Sequence, residues 1–274
     1  MAFNELNSVE HYIIHQLSGV DLNDPAAQEP KVRYGPRWEY CPPAEIQRGI
    51  NEVLDETRLT AALLRLNPEI AQVPERADEV IHKLRAILLA VSQDGLVRAN
   101  EAFFAWLTGE KTMPFGENNS HVSVKLIDFD DLSQNEYVVT NQYRVHHRET
   151  KIPDVVLLIN GIPVVIGEAK TPIRPSVSWL DGAHEIHDIY ENAVPGLFVP
   201  NVLSFATEGK ELYYGAVRTP LEFWSPWRME EDDTQLARSL GLAEVGKELA
   251  HLLHPARLLD IIQHFSLFTT NKKK

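Results

Sequence analysis

Residues 153–170, PDVVLLINGIPVVIGEAK, constrain the fold of this chain more than any other segment. Two apolar runs, residues 155–159 and 162–167, flank Asn160-Gly161, and this dipeptide is the strongest short sequence signal for a two-residue hairpin turn. Short apolar runs bounded by turn signals are typical of buried strands. The segment therefore predicts a buried β-hairpin, as expected inside a layered α/β protein.

Three charged side chains lie where this hairpin begins and ends: Asp154, Glu168 and Lys170. Glu168 and Lys170 are two residues apart, so an extended strand places both on one face. Charged groups that end an apolar strand are costly unless they pair with one another or meet a ligand. Two carboxylates can hold Mg²⁺ through oxygen, and the lysine can stabilise charge developing on phosphorus. The pattern indicates either a phosphodiester-hydrolysing site or a surface ion pair in an unrelated α/β protein.

In the register of a regular two-residue hairpin, Asp154 and Glu168 could not bind the same cation. That register pairs residue 154 with residue 167, which places Asp154 and Glu168 on opposite faces of the sheet. We therefore expect a bulge or kink near Pro153 or Gly167, because both residue types favour such a break. With that irregularity the two carboxylates should come within about 6 Å of each other, close enough to share one cation.

Helical and extended patterns divide the rest of the chain. Apolar residues recur at helical spacing in residues 7–17, 59–66, 80–88, 179–190 and 255–265. Extended patterns cover residues 121–129, 137–145, 202–207 and 212–217. We interpret the chain as an α/β fold, a mixed β-sheet flanked by helices, with a helical insertion at residues 43–110 and C-terminal helices. Residues 1–220 form one domain in this interpretation, and residues 221–274 form a helical extension.

Composition excludes several classes of protein. Cys41 is the single cysteine, which excludes an internal disulfide framework and favours a reducing cytoplasm. The sequence shows no signal peptide, no run of about 18 apolar residues and no G-x-x-x-x-G-K-[ST] phosphate loop. We therefore expect neither membrane association nor ATP hydrolysis by the chain itself. Its 26 basic and 39 acidic residues give a net charge of −13, so any DNA binding by this chain alone should be weak and local.

The hairpin segment resembles the P-D…E-x-K signature of the PD-(D/E)xK nuclease superfamily. Over most of its length, the chain is similar to the N-terminal nuclease domain of the restriction (R) subunit of type I restriction-modification enzymes. NEYVVTNQYRV precedes the hairpin and VPGLFVPNVLSFATEGKEL follows it, in the order found in that family. PARLLDIIQHFSLF resembles the stretch that precedes the helicase motor of those subunits. The resemblance implies a restriction-endonuclease-like fold.

The same resemblance implies roles for individual residues. Asp154, Glu168 and Lys170 correspond to the catalytic set, with Asp154 and Glu168 as the metal ligands and Lys170 as the catalytic lysine. Members of the family also carry an N-terminal glutamate that reaches the metal. Glu10 is our candidate and Glu5 the second choice, although the spacing around Glu10 equally fits a helix-capping box.

A helix motif Q-x-x-x-Y often follows the lysine in that family. Tyr190 matches the tyrosine, but Ile186 stands at the glutamine position, so the motif is only half present. Glu185 or His187 could substitute for the missing glutamine, and the role of this helix is left open by the sequence.

Contact with DNA needs positive charge beside the carboxylates, because phosphates dominate non-specific affinity. The supporting residues that we expect at this surface are Tyr190 and the basic residues Arg174, Lys151 and Arg148, with Arg144 as an alternative to Arg148.

The resemblance implies an enzyme, the nuclease domain of a type I site-specific deoxyribonuclease. It would cut double-stranded DNA with Mg²⁺, at positions indifferent to local sequence, in a complex with modification and specificity subunits. ATP would act only through a helicase motor that this chain lacks, which would make the chain a fragment or an excised domain. Two alternatives stay open: a stand-alone repair nuclease, and a non-catalytic scaffold that keeps the nuclease fold to dock the motor and modification subunits.

Overall fold

The fold is built on a mixed sheet of seven strands. The computed structural model describes residues 9–23, 37–171, 176–229 and 244–268. The strands, in chain order, are β1 (Glu39–Tyr40), β2 (Thr112–Met113), β3 (Val122–Ser123), β4 (Tyr137–Asn141), β5 (Val145–His146), β6 (Thr150–Lys151), β7 (Val155–Ile159), β8 (Ile162–Ala169), β9 (Leu203–Thr207), β10 (Leu212–Gly215) and β11 (Ser225–Pro226).

The main sheet has the strand order β1-β4-β7-β8-β9-β10-β11, and β2-β3 and β5-β6 form two small ribbons. Strands β1 and β4 pair in parallel, as do β8 and β9, and the remaining pairs are antiparallel. Every residue of β7 and β8 is buried, so the predicted hairpin occupies the centre of the sheet. The mixed character of the sheet is thereby confirmed.

Helices flank this sheet. They are α1 (His11–Ser18), α2 (Glu56–Leu66), α3 (Pro68–Gln72), α4 (Arg76–Asp94), α5 (Leu96–Leu107), α6 (Trp179–His184), α7 (Glu191–Ala193), α8 (Glu244–Leu252) and α9 (Pro255–His264). A π-helical turn, Glu185–Tyr190, joins α6 to α7. Short 3₁₀ turns occupy Pro43–Glu45, Glu117–Asn119, Leu132–Gln134, Pro195–Phe198 and Leu221–Phe223.

The α/β architecture with a helical insertion and C-terminal helices is confirmed. Helix α6 packs on β8 and β9, α1 packs on β1 and β4, and α8 packs on both α1 and β10. The division at residue 220 stays a prediction. Among the described helices, none combines the length and the apolar character that a membrane crossing requires.

The turn of the hairpin has the predicted conformation. Asn160 and Gly161 both have positive φ, 52° and 79°, as a type I′ turn requires. Asn160 is buried, and its side-chain amide donates to the Leu126 carbonyl at 2.9 Å. A Cβ on Gly161 would lie 2.3 Å from the Asp55 carbonyl oxygen, so only glycine fits against the start of α2.

The hairpin carries one extra residue in β8. Leu158 pairs with Pro163, but Leu157 pairs with Val165, so the register shifts at Val164. Proline cannot donate to a ladder and is commonly found at such a bulge. The Val164 carbonyl instead accepts the Val202 N–H of the neighbouring segment at 2.8 Å.

The expected irregularity therefore exists, but its predicted place near Pro153 or Gly167 is wrong. Beyond the bulge, Val155 pairs with Gly167, where a regular hairpin would pair Val155 with Ile166. Continuing this register by one residue sets Asp154 opposite Glu168, on the same face of the sheet.

Four predicted strands are shorter than the sequence pattern indicated: 202–207 and 212–217 are reduced to Leu203–Thr207 and Leu212–Gly215, and 121–129 and 137–145 are shortened more. In residues 121–129 only Val122–Ser123 is a strand, since the Asp128 carboxylate accepts the N–H groups of Asp130 and Asp131 and turns the chain. Strand β4 ends at Asn141, because Gln142 has a φ of 49° and leaves the extended conformation.

Candidate active site

The amine of Lys170 lies between two carboxylates at the end of β8. Its Nζ donates to Glu168 Oε1 at 2.9 Å and to Glu185 Oε2 at 2.5 Å. Burial alone would lower the pKa of Lys170, but the two adjacent carboxylates raise it above its ordinary value. Lys170 is therefore a fixed positive charge at neutral pH.

Glu168 is almost fully buried, with 3% of its surface exposed. Burial, reinforced by the nearby Asp154 carboxylate, raises the pKa of Glu168 well above its ordinary value, although Lys170 opposes the shift. Glu168 Oε2 is buried and accepts no hydrogen bond from any residue that the structure describes. An unsatisfied buried carboxylate oxygen is costly unless a ligand meets it, and a cation would.

Asp154 is held in place from both sides of its carboxylate. Its Oδ2 accepts the backbone N–H of Ala169 at 2.9 Å, and its Oδ1 accepts the side-chain amide of Gln142 at 3.2 Å. The bond to Ala169 fastens Asp154 to β8 one residue beyond Glu168. The structure therefore brings the three predicted catalytic residues together at one end of the hairpin.

Glu10, which begins the first helical segment, reaches this site through Gln142. It is 1% exposed, and its carboxylate accepts Asn141 Nδ2 at 2.6 Å and Gln142 Nε2 at 2.8 Å. The Gln142 amide thus bridges Glu10 and Asp154. Burial, with a further contribution from Asp154, raises the pKa of Glu10 to about 7, while the two amide hydrogen bonds oppose the shift.

The capping-box alternative for Glu10 needs Asn7 as its partner, and Asn7 lies outside the described residues, so this alternative stays a prediction. Glu5 lies outside the described residues. Within the described ranges, no three His, Cys, Asp or Glu side chains form a ready-made metal cluster. The carboxylate oxygens of Asp154 and Glu168 are available to a cation. Glu10 is linked to Asp154 through the side-chain amide of Gln142.

Glu185, one of the two residues proposed to substitute for the missing glutamine of the motif, contacts both Lys170 and Tyr190. The Tyr190 hydroxyl donates to Glu185 Oε1 at 2.9 Å, and the other oxygen of this carboxylate holds Lys170. Burial alone would raise the pKa of Glu185, but its hydrogen bonds to Lys170 and Tyr190 lower it. Of the two substitutes that the sequence offered, Glu185 makes these contacts, whereas His187 contacts Asp188 at 2.7 Å.

The spacing of five residues between Glu185 and Tyr190 follows from the π-helical turn. Backbone hydrogen bonds in a π-helix run between residues five apart, so such residues share a face. In a regular α-helix, the residue on the same face as Tyr190 would be Ile186, four residues before it. Ile186 is instead fully buried in the core. The sequence offered both Glu185 and His187, and spacing alone could not choose between them.

Comparison with known proteins identifies the family. Residues 3–223 match the model of the type I restriction enzyme R protein N terminus. The chain belongs to this family. It is 29% identical over 217 residues to the HindI type I restriction enzyme endonuclease subunit of Haemophilus influenzae, across 77% of this chain. It is 24% identical over 236 residues to an endonuclease subunit named for the MjaIXP type I enzyme of Methanocaldococcus jannaschii, across 84% of this chain.

The chain spans only about a fifth of the length of these relatives, 20% and 21% respectively. Two side chains of this R-protein N-terminal domain, Asn141 and Gln142, were given no role from the sequence. They lie inside the NEYVVTNQYRV segment, and their amides organise Glu10 and Asp154. The signal that could have found them is the polar pair that interrupts an otherwise apolar strand.

Of the four basic residues expected to support DNA binding, three lie within the described part of this R-protein N-terminal domain. Lys151 forms an ion pair with Glu149 at 2.8 Å, so its charge is locally compensated. Arg144 and Arg148 are exposed. Arg174 lies outside the described residues. A basic patch made of these four residues stays a prediction.

Proposed function

We propose that this domain is a Mg²⁺-dependent endonuclease that hydrolyses phosphodiester bonds of double-stranded DNA. The observation that supports it is the Glu168 carboxylate. One of its oxygens accepts a hydrogen bond from Lys170, and the other is buried near Asp154 without a hydrogen-bond partner among the described residues. A simple surface ion pair would be exposed to water at both partners. A buried acidic pair with a spare oxygen fits a site whose ligand is a hard cation.

Each residue of the chain has a definite task in this proposal. Asp154 and Glu168 supply the carboxylate oxygens, and Gln142 and the Ala169 N–H keep Asp154 oriented. A Mg²⁺ ion bound there would polarise the phosphate and lower the pKa of an attacking water. Lys170, held charged by Glu168 and Glu185, stabilises the negative charge that develops on the phosphoryl oxygens.

The wider assembly is proposed from the relatives. Because they are named as endonuclease subunits of type I restriction enzymes and the matched part is only about a fifth of their length, we place the domain in the R subunit of such an enzyme. Modification and specificity subunits would be its partners, and ATP-driven translocation would belong to a motor outside these residues. A cytoplasmic location is consistent with the single buried thiol of Cys41.

The proposal is tested by incubating the chain with supercoiled plasmid at several Mg²⁺ and Mn²⁺ concentrations, and with EDTA. Nicked and linear products should form only with the metal, and Glu168→Gln should abolish them. Glu101→Gln, at an exposed position of α5, is the matched control and should cut at the wild-type rate. If the chain and the Glu168→Gln variant give the same products at the same rate, the nuclease assignment is wrong.

A scaffold predicts another outcome of the same experiment. It would give no metal-dependent products with the chain alone, and replacing Asp154 or Lys170 in the full assembly would leave cutting unchanged or would prevent assembly. Comparing the assembly with and without intact Asp154 therefore separates the two functions.

A further inference from the structure

Arg48 is a positive charge fixed beside the candidate active site. Its guanidinium lies 3.6 Å from the centre of the Tyr143 ring, in a cation–π contact. Its Nη1 donates to the carbonyls of Gly49 at 3.1 Å and Glu52 at 2.7 Å, and its Nη2 donates to the Arg144 carbonyl at 2.6 Å. These contacts fix the position of the guanidinium without neutralising it.

The loop that carries Arg48 is fastened to the segment after β4 at two further points. The Tyr143 hydroxyl donates to the Val53 carbonyl at 2.9 Å, and the His146 N–H donates to the Ile50 carbonyl at 2.7 Å. Tyr143 is buried. The fold thus holds the guanidinium of Arg48 in one position. Less side-chain entropy is therefore lost when it binds a ligand.

A cavity of about 280 Å³ opens at this loop. Several water-sized groups fit in such a volume, since a water occupies about 30 Å³ of the liquid. Two cations and no carboxylate contribute to its walls, whose residues are Pro43, Ala44, Ile46, Arg48, Ile50, Gln142, Tyr143 and Arg144.

The Glu52 and Asp55 carboxylates influence the charge of Arg48 without forming an ion pair with it. Neither Arg48 nor Arg144 forms an ion pair within the described part of the chain. Arg58, Arg85 and Arg218, by contrast, each pair with a carboxylate. On a chain with a net charge of −13, two arginines that form no ion pair and line one cavity mark a local site for an anion.

Gln142 joins this cavity to the candidate active site. It lines the cavity, and its side-chain amide donates to both Asp154 and Glu10. The geometry points to a phosphate-binding pocket, formed by Arg48 and Arg144 beside Gln142, that holds a backbone phosphate of the DNA next to the one being cut. The inference rests on the proposed function, since it names the contact that seats DNA at the same site.

The test is the salt dependence of DNA binding without divalent ions, so that no cutting is needed. The anisotropy of a fluorescent 20-base-pair duplex is measured from low to moderate NaCl for the wild-type chain and for Arg144→Ala, Arg144→Lys and Arg98→Ala. Arg144 is exposed and gives up no side-chain contact within the described residues, so its variants should fold, and thermal melting verifies this. Arg98 is an exposed arginine on α5, away from the cavity walls, and serves as the matched control.

Arg144→Ala should weaken binding several-fold at low salt. It should also flatten the slope of log K against log salt by about 0.9, the value for one lost phosphate contact on B-DNA. Arg144→Lys should restore the slope, and Arg98→Ala should match the wild type. Equal slopes for Arg144→Ala and Arg98→Ala, or no measurable binding by the wild-type chain at low salt, would overturn the pocket.

Titration with inorganic phosphate distinguishes the two sources of the anion. A site for the DNA backbone should admit free phosphate only weakly, as a competitor of the duplex. Tight phosphate binding that depends on Arg144 while duplex affinity does not would contradict the DNA assignment. Failure of the pocket leaves plasmid cutting intact, whereas failure of the nuclease proposal leaves this binding result unaffected, so the two failures are distinguishable.

Discussion

Asp154 accepts a hydrogen bond from the backbone N–H of Ala169 at 2.9 Å, which ties the residue before β7 to the end of β8. The tie depends on the extra residue Val164 in β8, since the shifted register pairs Val155 with Gly167. Without that residue, Asp154 would lie opposite Gly167, and the two carboxylates would face opposite sides of the sheet. A bulge some distance from the site therefore makes the candidate site possible.

Removing any one of the three central side chains should abolish DNA cutting. In the full assembly, Asp154→Ala, Glu168→Ala and Lys170→Ala should each lose cleavage while ATP hydrolysis and translocation persist. The three groups act as one unit, so a double variant should be barely slower than a single one. Cleavage is measured on plasmid and ATP hydrolysis by phosphate release, with Glu101→Ala as the exposed control. Wild-type cutting by any of the three variants would contradict the catalytic assignment.

Glu185 should act by positioning Lys170. Glu185→Gln keeps a hydrogen-bond acceptor for the lysine and should cut within several-fold of the wild type. Glu185→Ala removes the anchor that holds Nζ at 2.5 Å and should slow cutting by about 100-fold, as small misplacements of a reacting group do. Both rates come from single-turnover plasmid cleavage at saturating Mg²⁺.

Tyr190→Phe is the companion variant for Glu185, because it removes only the hydroxyl that donates to that carboxylate. The loss of one hydrogen bond should reduce the free energy of unfolding by about 1 kcal/mol and leave Lys170 in place. Equal rates for Glu185→Ala and the wild type would show that the lysine needs no second carboxylate.

Glu10 should influence the metal requirement. Glu10→Gln preserves size but replaces one acceptor oxygen by an amide that faces the amides of Asn141 and Gln142. If Glu10 is a metal ligand, the Mg²⁺ concentration for half-maximal cutting should rise by at least tenfold, the usual scale for a weakened metal site. An unchanged Mg²⁺ requirement with slower cutting would instead assign Glu10 to holding Gln142.

Gly167 should tolerate no side chain. A Cβ at this position would lie 2.1 Å from Phe205 Cζ, and the Phe205 ring is fully buried. Gly167→Ala should therefore lower the free energy of unfolding by about 1–3 kcal/mol, the usual cost of overpacking, and displace the adjoining Glu168.

Urea unfolding measures the effect of Gly167→Ala, and Gly196→Ala is the matched control. A Cβ on Gly196 meets only Val53 Cγ2, at an ordinary 3.6 Å. If both variants unfold at the same urea concentration, the close approach of Phe205 does not constrain β8.

Local chemistry explains what the amino-acid sequence by itself determined. Asn160-Gly161 specifies its turn because both residues accept positive φ, and the apolar runs beside it had to become buried strands. Helix α2 ends at Leu66, because Asn67 precedes Pro68 and a residue before proline disfavours the helical conformation. The charged ends of the hairpin marked Asp154, Glu168 and Lys170 because charge on a buried strand needs a partner.

Tertiary structure decided which of these groups meet. At the bulge, the Val164 carbonyl accepts the Val202 N–H, a contact with a segment 38 residues further along the chain that no local pattern encodes. The π-helical turn Glu185–Tyr190 brings Glu185 and Tyr190 to one face, where the Tyr190 hydroxyl donates to the Glu185 carboxylate. Glu10 meets Gln142 across 132 residues of sequence, and Arg48 meets Arg144 across 96. Such contacts arise from packing between distant segments, so they exist only once the chain has folded.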